Sequence, residues 1–137
     1  MIRFFYEGTR YRIKKPITTS RWIKAVIKQE NQSLVALNYI FCTDTYLLQI
    51  NQDFLNHDYY TDIITFNHST KKRAIYGDIY ISIDRVKENA RNLSEDLDTE
   101  IHRVMIHGVL HLIGFKDKTE RQRSQMRKKE EACLSLR

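Results

Sequence analysis

Hydrophobic positions change their period several times along the chain, and each change marks a new element. Ile2 to Tyr6 reads as a short first strand. Trp22, Ile23, Val26 and Ile27 then fall at helical spacing, behind Ser20 as a candidate cap. Leu34 to Phe41 is apolar on both alternating faces apart from Asn38, the pattern of a strand inside a sheet rather than at its edge. Thr43 or Asp44 can cap a helix whose core side carries Tyr46, Leu47, Ile50, Phe54 and Leu55. Two further strands, Ile63–Phe66 and Ile75–Ile83, flank a polar, basic loop from Asn67 to Arg73. Val86, Ala90 and Leu93 mark a short helix. Asp96–Ile113 is a long one, striped by Leu97, Ile101, Val104, Met105, Gly108 and Leu112. Thr119–Leu134 is a charged final helix with few apolar residues, expected to lie on the surface.

The order β-α-β-α-β-β followed by helices predicts an α+β fold: a small mixed four-stranded sheet packed with helices, the long helix central. No repeat, low-complexity tract or linker interrupts it, so one domain over residues 1–137 is expected. Architecture of this kind is neutral about function.

Composition narrows the setting. The N-terminus lacks the apolar segment of a signal peptide, and no apolar run approaches the roughly 20 residues of a membrane span. Cys42 and Cys133 lie far apart without metal-ligand spacing, as expected of small buried hydrophobes in a reducing compartment. A cytoplasmic protein that does not enter a membrane is the expectation. The net charge of +6 is unevenly placed. Residues 1–30 and 116–137 carry eight Lys/Arg each, whereas 31–115 hold seven against eleven acidic residues. Basic ends around an acidic middle suit a polyanion such as RNA, although solvated surface lysines would give the same count.

The chemistry concentrates in His107–Asp117, which reads HGVLHLIGFKD. His107 and His111, four apart on a helix, present both imidazoles on one face, one turn apart, where they can share a metal ion. Gly114 stands where the helix would stop in a left-handed cap, and Asp117 can then swing back as a third ligand. Three protein ligands leave a fourth position for water, the arrangement of catalytic rather than structural zinc. The spacing is metzincin-like, H-E-x-x-H-x-x-G-x-x-H, with Gly108 in place of the general-base Glu and Asp117 in place of the third His. Without that Glu, peptide hydrolysis lacks its proton acceptor. Two imidazoles and a carboxylate suit one Zn²⁺, and also nickel, manganese or iron. Gly108 in mid-helix costs about 1 kcal/mol against Ala and asks for a reason such as close backbone approach. Among other candidates, His102 is turned roughly 140° from His107 on an ideal helix. His57 and His68, in loops flanking the third strand, could either reach the site or stand exposed, and Glu100, on the His107 face, reads as either an exposed carboxylate or a partner of a ligand imidazole.

Taken together, His107–Phe115 (HGVLHLIGF), Thr61–Phe66 (TDIITF), Leu55-Asn56 and Gly77-Asp78-Ile79 resemble the signature blocks of the YbeY family of bacterial metal-dependent endoribonucleases. The resemblance extends from Leu37 to about Glu131. It implies a zinc-dependent, single-strand-specific endoribonuclease acting in 16S rRNA 3′-end processing and ribosome quality control. The implied partners are rRNA precursor and the ribosome or its small subunit. The family usually has a third His where this chain has Asp117, and an Arg between the L-N and T-D blocks where His57-Asp58-Tyr59-Tyr60 has none. Lys71, Lys72 and Arg73 are the nearest basic cluster that charge alone suggests in its stead. Two other readings compete at this stage: a non-catalytic RNA-binding assembly factor with a structural metal, and a metal-dependent hydrolase of another bond.

Overall fold

A computed structural model describes residues 1–137. The elements run β1 (Ile2–Glu7), α1 (Pro16–Gln29), β2 (Ser33–Cys42), α2 (Asp44–Leu55), β3 (Ile63–Asn67), β4 (Ala74–Ser82), α3 (Ile83–Asn92), α4 (Leu97–Ile113) and α5 (Glu120–Leu134). The sheet order is β1-β2-β4-β3. β1, β2 and β4 are parallel, and β3 pairs antiparallel to β4. The α+β fold with a four-stranded mixed sheet is therefore the one expected.

β2 lies between β1 and β4, and its alternation serves two cores. Leu37, Tyr39 and Phe41 point into the main core with α1 and α4, while Cys42 joins Leu47 of α2 and Ile64 on the other face. Within the main core, α4 buries Ile101, Val104, Met105, Ile106, Val109 and Leu110 to 4% exposure or less. Each such side chain contributes about 1.5–3 kcal/mol through removal of apolar surface from water. Gly108 permits this packing. A Cβ there would lie 2.8 Å from Ile79 Cδ1 and 3.0 Å from Ile63 Cδ1, so the helix rests directly on β3 and β4.

Three expected details change. α2 does not turn Tyr46, Phe54 and Leu55 to the core: they are 37%, 67% and 39% exposed, and the helix buries Leu47 and Asn51 instead, the polar Asn51 being satisfied by its bond to the Tyr59 carbonyl. α1 starts four residues before Ser20, because Pro16 supplies a preset φ in the first turn. The Thr19 hydroxyl then donates back to the carbonyls of Lys14 and Lys15. α5 is not merely draped on the surface. Met126, Glu130, Cys133 and Leu134 are buried, and Trp22 Nε1 of α1 donates to the Cys133 carbonyl at 2.8 Å. The spacing 126-130-133-134 is a short helical stripe, too sparse to stand out among so many charges. Both cysteines are free and buried. No helix is long and apolar enough to cross a membrane.

Candidate metal centre

α4 carries the site, and its two ends are fixed by local chemistry. At the start, the Asp96 side chain accepts the Thr99 N–H at 2.7 Å, and Asp98 and Glu100 in the first turn favour the positive end of the helix dipole. At the far end Gly114 adopts φ 121°, and its N–H and that of Phe115 return to the Leu110 carbonyl. The chain reverses there and soon meets a second fixed point. Thr119 and Gln122 form a reciprocal capping box for α5, and Gln122 Oε1 also accepts the Lys118 N–H. Asp117 is held in the three-residue span between Gly114 and Lys118.

His107, His111 and Asp117 converge. One ligating atom of each lies within 4.8 Å of the others. Asp117 Oδ2 is 3.3 Å from His107 Nε2 and 3.2 Å from His111 Nε2. Two ligands held tetrahedrally at zinc distances lie ~3.3 Å apart, so both contacts have the spacing a single ion would impose. No fourth His, Cys, Asp or Glu belongs to the group.

His107 is the more constrained imidazole. Its Nδ1 is 2.5 Å from Glu130 Oε2, a carboxylate buried at 5% exposure on α5. If Nδ1 carries the proton, Glu130 accepts it and leaves the Nε2 lone pair facing Asp117. Burial opposes protonation of His107. The hydrogen bond and charge of Glu130, with the charges of Asp117 and Asp62, outweigh burial and raise its pKa above 6.5. The same carboxylates that favour an imidazolium favour a metal cation. Asp62 itself is pushed above the ordinary aspartate range by burial, with His107 and the Asn89 amide partly opposing.

Glu130 is the residue that sequence reasoning missed. Glu100 sits on the His107 face as expected but serves neither of the roles considered for it. It is 4% exposed, and its Oε1 accepts from Arg103 Nε at 3.0 Å. Arg103 also pairs with Glu131 and, at 3.5 Å, with Glu95. The available signal for Glu130 was a carboxylate within the apolar stripe of α5, a position that requires a buried partner.

The remaining histidines stand apart. His102 packs against Trp22 at 5.2 Å, His57 against Tyr59 at 5.1 Å, and His68 pairs with Asp78. A cavity of about 390 Å³ opens at the triad, lined by Tyr59, Thr61, Asp62, Ile63, Thr65, His107, His111 and Asp117. Lys71, Lys72 and Arg73 lie beyond the opposite end of β3 and do not line it. One buried polar residue organises its rim: Asn51, 1% exposed, donates from Nδ2 to the Tyr59 carbonyl at 2.9 Å and accepts the His57 N–H on its own carbonyl.

Comparison with known proteins places this geometry in a family. Residues 8–136 match the family model described as Endoribonuclease YbeY. The chain is 54% identical over 136 residues to an Endoribonuclease YbeY of Cytophaga hutchinsonii, covering 99% of this chain and 95% of the relative. It is 48% identical over 136 residues to one of Flavobacterium psychrophilum, with 99% and 96% coverage. The fold resembles the solution structure of TM1509 from Thermotoga maritima, with a TM-score of 0.71 and 28% identity over 99% of this chain and 88% of that one. An α4 imidazole pair followed by a helix-stopping glycine, on a sheet of this topology and with this sequence similarity, identifies the chain as a member of the YbeY endoribonuclease family.

Proposed function

We propose that this protein is a zinc-dependent, single-strand-specific endoribonuclease of the cytoplasm. Its role is maturation of the 16S rRNA 3′ end and ribosome quality control, and its partners are rRNA precursor and the small subunit. The observation that carries the catalytic reading is a three-donor cluster with no fourth protein ligand, open to a cavity. A structural zinc site is closed by four protein ligands, whereas a catalytic one keeps a position for water or substrate.

His107 Nε2, His111 Nε2 and Asp117 Oδ2 would hold the ion. Zinc bound there supplies a Lewis acid toward phosphate oxygen and acidifies water to a pKa of about 7. The protein groups do the rest. Glu130 fixes the tautomer and orientation of His107, and the capped reversal from Gly114 to Thr119 holds Asp117 in register with both imidazoles. The exposed Lys116 and Lys118 flank Asp117 in the chain and give a polyanion a favourable approach. Gly108 supplies no carboxylate at the position of a protease's general base, which disfavours proteolysis.

The test is cleavage of single-stranded RNA and of rRNA precursor by chelator-stripped, folded protein, before and after zinc is added back. Activity is expected only after add-back. Equal cleavage by the stripped and zinc-loaded samples would overturn the metal-dependent reading.

A further inference from the structure

Three large aromatic side chains near the end of α2 and the approach to β3 stand well out in solvent. Phe54, in the last turn of α2, is 67% exposed and meets Phe66 edge-on, while Tyr59 and Tyr60, in the stretch joining α2 to β3, are 56% and 52% exposed, Tyr60 beneath the Arg85 guanidinium. Large aromatic groups left in water beside a candidate catalytic centre ask for a ligand. Tyr59 is the one that lines the same cavity as His107, His111 and Asp117.

Its placement is built rather than incidental. Asn56 takes a left-handed φ of 57°, ending α2, and the His57 N–H returns to the Asn51 carbonyl at 3.1 Å. The buried Asn51 amide then holds the Tyr59 carbonyl. Gln52 Nε2 donates to Asp58 Oδ1 at 2.5 Å, tying the middle of the loop back to α2. The His57 imidazole stacks on the Tyr59 ring at 5.1 Å and 22°, and its Nδ1 is 2.9 Å from the Tyr59 hydroxyl. One ring face is therefore braced from behind while more than half of the residue stays in solvent. A loop tied to α2 at three points, with one of its own rings behind the exposed one, has the form of a stacking platform.

From this we infer that Tyr59, braced by His57, stacks on one unpaired base of an RNA strand whose backbone crosses the His107–His111–Asp117 centre. This deepens, and rests on, the endoribonuclease reading. The occupant is single-stranded RNA, because a duplex hides its base faces and an exposed ring can reach only an unstacked base. Charge agrees with this choice: the exposed Lys116 and Lys118 are the chain neighbours of Asp117, and cations beside that residue suit the phosphates of a bound strand.

The experiment measures fluorescence anisotropy of labelled single-stranded oligoribonucleotides with the full-length protein in chelator, so that binding is read without cleavage. One abasic position is walked along the strand, and wild type, Tyr59→Ala and Tyr59→Phe are compared. Tyr59→Ala is expected to weaken binding about tenfold, as for loss of one base–aromatic stack, and Tyr59→Phe by less than about threefold. One abasic position should weaken the wild type by the same factor and leave Tyr59→Ala unaffected. Zinc affinity of Tyr59→Ala, measured by competition with a chromogenic chelator, should equal that of wild type, which separates loss of stacking from a disturbed site. Equal binding by wild type and Tyr59→Ala, an equal sensitivity of both to every abasic position, or no binding by wild type overturns the inference. Tyr59-dependent binding without zinc-dependent cleavage sinks the nuclease reading alone, and zinc-dependent cleavage indifferent to Tyr59 sinks the platform alone.

Discussion

One face of α4 carries two polar patches with opposite characters. Glu100 and Arg103 make up the first, and His107 and His111 the second, at positions 100, 103, 107 and 111 of a single stripe. The first patch is closed. Arg103 is 3% exposed, and its guanidinium is shared among Glu100, Glu131 and Glu95. The second is open: two imidazoles face one Asp117 oxygen at the wall of a cavity. Both lie on the same face of the same helix, so position on that face does not by itself tell structure from site. What separates them is whether the charges are balanced inside the protein. α5 bridges the two, giving Glu131 to the closed patch and Glu130 to the open one.

The comparison breaks most visibly if the open patch is dismantled. His111→Ala is expected to remove high-affinity zinc binding while leaving the denaturation midpoint of the metal-free protein near wild type, since His111 is partly exposed. A matched calorimetric titration and urea melt read both. A loss of stability without loss of metal affinity would make the second patch structural like the first.

The closed patch should respond the other way. Arg103→Met leaves Glu100 buried without its cation, at a cost of about 3–5 kcal/mol, with zinc affinity of the folded protein retained. Its pH dependence has a defined sign. Burial already raises the Glu100 carboxyl above its ordinary 4.5, against the opposing pull of Arg103. Removing Arg103 raises it further, so the variant regains stability as the pH falls and the carboxyl becomes neutral. Urea melts at neutral and mildly acidic pH should show the gap between variant and wild type narrowing in acid.

Glu130→Gln sharpens the link between the patches. It keeps the shape but loses the charge that orients His107, and should weaken zinc binding about 10- to 100-fold with a smaller effect on folding. The smallest effect expected is that of Lys14→Ala. It removes the exposed Lys14–Asp98 pair at the start of α4 and should shift stability by less than about 0.5 kcal/mol.

Much of the site was legible because it is local. The imidazole pair depends on one turn of helix, and the reversal after it depends on Gly114, which adopts the backbone that glycine favours. The interior position of β2 followed from alternation, because a strand covered on both faces must be apolar on both, whereas the order β1-β2-β4-β3 came from the structure alone. Glu100 was legible only as a face and not as a function: its neighbours in sequence do not reveal that Arg103 folds back on it in a buried network.

Sequence by itself determined the α+β architecture, the helix that carries His107 and His111, and the glycine that brings Asp117 round. These are consequences of period, capping and backbone sterics over a few residues. Only the tertiary structure decided that Glu130, twenty-three residues from His107, steadies that imidazole. It also decided that Asn51 holds Tyr59 beside the same cavity, and that one polar patch is paired within the protein while its neighbour opens to that cavity. Those outcomes depend on where α2, α5 and the β3 approach meet α4, and burial turns such meetings into strong pairings that no local pattern encodes.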